Sequence, residues 1–171
     1  RGVFITDQNV EMSFRDLAKV SSLGFLNAPR DMDGALRRIP LWVEFRGKVY
    51  PSLSLKLIMD YYGVSPKNVE FLEKSRLVLK SSQGVIEIPV TEDGFFWINF
   101  RSGIENVKGA SFPQILKKEV NFAKNIVLVG LTGTGITDVA PTPLSANTPL
   151  VLAHVNTIQN ILGRDYLRMM P

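Results

Sequence analysis

A glycine-rich stretch, LTGTGITDVAPTP at Leu131 to Pro143, follows the apolar run Ile126-Val127-Leu128-Val129-Gly130 and has the composition of a strand running into a phosphate-binding loop. A dinucleotide site of that kind needs G-x-G-x-x-G opening a helix, whose free N–H groups hold the pyrophosphate. Here Gly130, Gly133 and Gly135 fall in the order G-x-x-G-x-G, so the spacing is reversed. A P-loop needs a closing Gly-Lys-Ser/Thr, and no lysine follows Lys124. Pro141 and Pro143 also remove donors from the segment that would have to be the phosphate-facing helix. The glycines and Asp138 are read instead as turn formers, with Thr142-Pro143 as an extended exit.

The other chemistry-bearing residues give weaker signals. His154 is the one histidine and lies among apolar neighbours, which favours a buried, hydrogen-bonded structural ring over a metal ligand. A Ser-His-Asp arrangement with Asp138 has no G-x-S-x-G elbow to support it. The acid pairs Asp31/Asp33 and Glu92/Asp93 flank glycines, where carboxylates bond their own backbone rather than face each other across a cleft. Arg37 and Arg38 are adjacent, so strand alternation sends their guanidinium groups to opposite faces; one is expected on Asp31 or Asp33 and the other over a sheet edge. With no cysteine, thiol nucleophiles, disulfides and thiolate metal sites are excluded together. The expectation is a protein that is not an enzyme and has no cofactor.

The elements that must carry these residues can be read from period and punctuation. Ser13 with Asp16 opens a helix over 13–23, Pro51 to Tyr62 a second ending at Gly63, and Thr148-Pro149 a third over 149–162 that closes at Gly163. A polar linker is expected at 64–70 and a short helix or turn at 112–120. Antiparallel hairpins are expected at 35–50, returning after Gly47, and at 76–100, with turns at Ser81 to Gly84 and Glu92-Asp93-Gly94. The continuous apolar run at 126–130 reads as a central strand covered on both faces. The fold class is mixed α/β, a mostly β sheet flanked by helices, in a single domain over 1–171.

At 171 residues, 45% apolar and 21% charged, the chain has an ordinary globular composition, and no apolar run approaches the ~20 residues of a membrane span. The net charge of +4 is spread along the chain without interleaved aromatics, so no nucleic acid partner is expected. The opening RGVFITDQN holds neither a signal peptide's apolar core nor a starting methionine, and the chain is expected to be an excised fragment.

One ordered pattern goes beyond these local readings. Gly24-Phe25-Leu26-Asn27 is followed by Asp31-x-Asp33-Gly34-x-x-Arg37-Arg38-x-Pro40-Leu41, then by Gly47 and Pro51-Ser52-Leu53-x-Leu55. Later come Ile98-Asn99-Phe100, the run Ile126 to Gly130, Asp138 leading to Thr142-Pro143, Ala153-His154-x-Asn156, and finally Arg168 and Pro171. Over about residues 17–171 this set resembles the second type of CHASE domain, an extracellular sensory domain associated with cyclases and histidine kinases. The resemblance implies the periplasmic or extracytoplasmic part of an inner-membrane receptor, its ligand a small molecule or physical signal of unknown identity. It further implies fused transmembrane helices, a cytoplasmic cyclase or kinase, and a homodimer, with a further N-terminal portion preceding these C-terminal two thirds. The alternative is a structural dimerisation module that sets output-domain spacing without a ligand. The residues picked to form a ligand pocket are Arg37, Trp97, Asn99, Thr132, Asp138 and His154, whose polar groups could converge from hairpin, central strand and last helix.

Overall fold

A computed structural model describes residues 3–4, 15–72, 75–133 and 138–167. Its sheets are short, because prolines and glycines interrupt the β-prone stretches every few residues. The chain begins with β1 (Val3–Phe4) and α1 (Arg15–Val20), then β2 (Arg38–Pro40), β3 (Trp42–Phe45) and β4 (Lys48–Pro51). β3 and β4 form an antiparallel hairpin across Arg46-Gly47, with Phe45 opposite Lys48. Both turn residues have positive φ, 50° and 72°, the backbone that matches a two-residue turn to the strands' twist. β1 lies parallel on the far side of β3.

The hairpin expected over 35–50 is therefore narrower, and its first part goes elsewhere. Pro40 ends β2, which pairs not with β3 but with β8 (Phe95–Trp97), Arg38 facing Trp97 and Pro40 facing Phe95. Leu41 then bonds Gly94 through its N–H and accepts from Ser52, carrying the chain from one sheet to the next. The same pairing corrects the hairpin expected over 76–100. β6 (Arg76–Ser81) and β7 (Gly84–Pro89) do pair antiparallel, but β8 leaves them for β2. Gly94 allows this turn: its φ is 86°, and a Cβ there would lie 2.7 Å from the Trp42 indole. The expected polar linker holds a strand as well, β5 (Val69–Leu72), laid antiparallel on β6 and tied to it by Glu70 and Lys80 at 2.6 Å.

Ser52, one residue past the proline that was expected to open the helix, caps α2 (Leu53–Tyr61) by accepting from the Leu55 amide. Of the helix expected over 13–23, residues 13 and 14 lie outside the described residues and α1 covers the middle. α3 (Phe112–Leu116) opens on Ser111, whose N–H and hydroxyl both donate to the Gln114 carboxamide, and β9 (Val139–Ala140) pairs with β10 (Thr148–Pro149). Thr148 thus sits in a strand rather than capping the final helix, α4 (Val151–Gly163). α4 stops not with glycine but with Arg164 in the left-handed conformation, whose N–H returns to Asn160 and Ile161.

α4 also departs from a one-faced amphipathic helix. Leu152, Ala153, His154, Asn156, Thr157, Ile158, Asn160 and Ile161 are all buried, so α4 runs through the centre of the protein. Its Ala153, Ile158 and Ile161 share one hydrophobic core with Leu55 and Ile58 of α2, Leu79 and Ile88 of the hairpin, and Phe96 and Ile98. Mixed α+β is the resulting class, with four α-helices and short, largely antiparallel sheets among the described residues.

The central strand expected at 126–130 is corrected. Among the described residues this segment joins no ladder. Ile126 and Leu128 pack on the core while Val127 and Val129 face out, Val129 at 93% exposure. The physical reason is one-sided cover: the segment has a strand's side-chain alternation, but only its inner face meets the protein. Gly130 lets it approach α4, since a Cβ there would stand 2.6 Å from the Val151 side chain.

Candidate functional site

The β2–β8 ladder brings the adjacent cations Arg37 and Arg38 beside an aromatic strand. Arg37 and Arg38 follow the turn Asp31 to Gly34, which is closed by Gly34 N–H donating to the Asp31 carbonyl at 2.8 Å. The Asp31 carboxylate accepts from both arginines, from Arg38 Nε at 2.9 Å and from Arg37 at 3.2 Å. Arg37 also donates twice to Asp33, at 2.6 and 2.9 Å. Those bonds, and next the Ala35 amide, hold the Asp33 carboxyl down at about 2, and the same two acids raise Arg37. The D-x-D-G-x-x-R-R sequence is thus a closed ionic turn. One carboxylate serves both arginines, although alternation was expected to send them to opposite faces.

Arg38 then extends across the strand, its guanidinium 4.8 Å from the centre of the Phe95 ring and 5.3 Å from that of Trp97. Beside it lies a cleft of about 970 Å³ whose wall includes Arg38, Arg76, Glu87, Phe96, Trp97 and Tyr166. Arg76 and Glu87 pair with each other at 2.8 Å. Tyr166 comes from the segment after α4 and meets Phe96 edge to face at 6.1 Å. Trp97 Nε1 and the Tyr166 hydroxyl are both buried with no hydrogen-bond partner among the described residues. Burial pushes the Tyr166 hydroxyl up to about 12.

A second polar group is enclosed between helices. His154 is 7% exposed, and its Nδ1 lies 2.8 Å from the Ser54 hydroxyl of α2. Burial lowers its pKa, against the opposing influence of the Asp138 carboxylate and of the Leu26 carbonyl it bonds. The ring is therefore a neutral packing and hydrogen-bonding element. Since an unfolded histidine takes up its proton near 6.5 and the buried one only below that, stability is complete above pH 6.5 and falls as the pH drops below it. The expected slope from this one group reaches at most about 1.4 kcal/mol per pH unit. Urea midpoints at pH 7.5 and 5.5 should therefore differ less in His154→Gln than in the natural chain. Asp33 acts in a separate window: its contribution is present above 3.8 and is lost as the pH falls towards about 2.

Of the six residues picked for a pocket, Trp97 alone lines the cleft. Arg37 is taken up by the ionic turn on the neighbouring strand. Asn99 is held through its backbone, its N–H and carbonyl both bonded to the Asn160 carboxamide. His154 and Asp138 are neighbours elsewhere, and Asp138, exposed, accepts from the Leu150 amide through its carbonyl. Thr132 is exposed in the segment before residues 134–137, which lie outside the described ones together with most of the glycine-rich loop's turn. Arg38 and Tyr166 were missed as cleft residues. Arg38 comes to lie opposite an aromatic strand only through the long-range β2–β8 pairing, and Tyr166 gave no signal beyond being a large aromatic just past a helix end.

Among the described residues no three of His, Cys, Asp or Glu gather to hold a metal, and no helix is long and apolar enough to cross a membrane. A family model described as the CHASE2 domain matches residues 3–171. The chain belongs to the CHASE2 family. CHASE2 is an extracellular sensory domain family found in signalling proteins, which supports a sensor role and an extracytoplasmic placement for this chain. No curated protein and no solved structure matches the chain. In this chain the ionic turn, the buried Ser54–His154 bond and the asparagines of α4 have their polar groups paired, whereas two buried polar atoms of residues lining the cleft beside β8 have no partner among the described residues.

Proposed function

We propose that this CHASE2 domain is the extracytoplasmic input domain of a membrane-bound signalling receptor whose cytoplasmic output is a nucleotide cyclase or a kinase. The observation that carries the reading is the family match over nearly the whole chain. The central position of α4 supports it, because residues 164–167 leave that helix directly and any shift of α4 is passed to whatever the chain continues into. The absence of cysteine offers a direct test. In the full-length protein in spheroplasts, a Met32→Cys variant, at one of the most exposed positions, should react with a membrane-impermeant maleimide beyond the background of the natural protein. Labelling that appears only after lysis would overturn the reading.

A second reading, a dimerisation module without a ligand, draws on the segment at 126–131, which joins no ladder among the described residues and whose outward Val127, Val129 and Leu131 resemble an edge awaiting a partner strand. Sedimentation equilibrium separates the two: an obligate dimer that no small molecule stabilises favours the module.

A further inference from the structure

His154 ties three parts of the chain together at one buried point. Its Nδ1 lies 2.8 Å from the Ser54 hydroxyl in the first turn of α2, and its ring also bonds the Leu26 carbonyl. Phe25, the residue before, is laid along that same turn, donating to the Pro51 carbonyl at 3.1 Å and accepting from the Leu53 amide at 2.9 Å. A carbonyl can only accept, so the ring gives its one N–H to Leu26, and the bare nitrogen is the Nδ1 that receives the Ser54 hydroxyl. That nitrogen is badly placed for a cation. It meets the amide end of α2, whose dipole is positive and whose first turn holds no acid, and it is enclosed by the buried Ser54. Few charges lie on the surrounding elements: α4 has none from Val151 to Gly163, and residues 24–28 and 140–150 have none. On α2, Lys56 and Asp60 are spent on each other, and Arg30 donates to the Val139 carbonyl. The exposed Asp138 carboxylate is the acid that attracts an imidazolium here.

We propose that the signal this domain reads is acidification, that Nδ1 of His154 is where the proton binds, and that the resulting imidazolium drives the first turn of α2 away from α4. The proposal rests on the sensor reading above and names its signal: an extracytoplasmic domain takes the pH of its surroundings, and histidine is the side chain whose charge changes in that range. Proton uptake reverses the Ser54 bond, because the new Nδ1–H donates and the hydroxyl must turn to accept. The bond can survive that turn. The charge cannot rest against the start of α2, so the ring and Asp138 draw together and the α2–α4 contact loosens at Ser54. Burial holds the pKa of the ring below 6.5, which puts the response in acid conditions. The helix that moves is fastened to residues 99–102 through Asn156 and Asn160 and continues into residues 164–167, so a change at His154 reaches the departing chain.

The chain has one histidine, so its ring resonances identify themselves in an NMR titration. From pH 7.5 downwards the ring should take up a proton at a midpoint below 6.5 while the chain stays folded. The Leu26, Ser54 and Leu55 amides should shift with that same midpoint, and those of β6 and β7 should stay. Ser54→Ala removes the hydroxyl that favours the neutral ring and should raise proton affinity about five-fold, the worth of one neutral hydrogen bond. Asp138→Asn should lower it. A ring that stays neutral until the chain unfolds overturns the proposal, as does a Ser54→Ala midpoint that is unchanged or lower. In the full-length receptor the output activity should change between external pH 7.5 and 5.5, and His154→Gln should abolish that change; an equal pH response in the variant overturns the proposal. Where His154→Gln does not fold, Ser54→Ala and Asp138→Asn should move the midpoint of the output in opposite directions, and a midpoint that neither moves overturns it. If the ring titrates as stated but Met32→Cys reacts only after lysis, the proton site stands and the extracytoplasmic reading falls; labelling of intact spheroplasts with a ring that stays neutral gives the reverse.

Discussion

Replacing Asn156 with alanine is expected to cost the fold about 4 kcal/mol, lowering Tm by about 8–16 °C in a domain of this size. Asn156 is fully buried on α4 and its carboxamide is used completely. The oxygen accepts from the Arg101 and Ser102 amides at 2.9 and 3.0 Å, and the nitrogen donates to the Ser102 and Leu152 carbonyls, both at 2.9 Å. Leu152 keeps its ordinary helical bond when the side chain is cut, but three backbone groups of the 101–102 stretch lose their partner. At about 1 kcal/mol for each of these partly buried groups, and about 1 more for the vacated space, the total follows. Asn160 makes the same kind of pair to Asn99 with two bonds, so Asn160→Ala should cost visibly less. Urea unfolding with unchanged m-values would measure both. A loss under 1 kcal/mol for Asn156→Ala would mean that water replaces the carboxamide, and that these side chains do not hold the stretch in place.

Phe96→Ala should be about as damaging, near 4 kcal/mol, for an apolar reason. The ring is 1% exposed at the middle of β8, opposite Ile39 of β2, and it supports Tyr166 edge to face. Removing it empties a space that strand backbones on a fixed ladder cannot close. Phe96→Leu, which keeps most of the volume, should recover more than half of the loss. Equal losses for the two variants would show that the ring's shape, not its volume, is what the site requires.

How far the sequence reveals this molecule depends on the range of the interaction concerned. Turn chemistry at Arg46-Gly47 and Gly94 and the three main helices are local properties, and they stand within a few residues of where period and punctuation put them. The β2–β8 ladder joins residues nearly sixty apart in sequence, and no local pattern announces it. Val69 to Leu72 has too few residues to alternate convincingly, and only the adjoining β6 makes it a strand. The run at 126–130 misled because apolar composition on both faces was taken for cover on both faces. Burial of Asn156, Thr157 and Asn160 has no local signal, since polar residues on a helix ordinarily take its wet side, whereas here they are buried. The cleft was hidden for the same reason as β2–β8: Arg38, Trp97 and Tyr166 meet only once that ladder and the end of α4 are in place. The ordered set from Gly24 to Asn156 succeeded where local rules did not, because it records the whole arrangement at once.

The asparagine bonds of α4 have a mechanical corollary. They fasten residues 99–102 to the helix, and Arg101 in turn grips Asp165 beyond the helix end at 3.1 Å. Axle and collar are thus joined along the second half of the helix and just past its end. A rotation of α4 would carry the 99–102 stretch with it through the buried carboxamides, the exposed Arg101–Asp165 pair adding little.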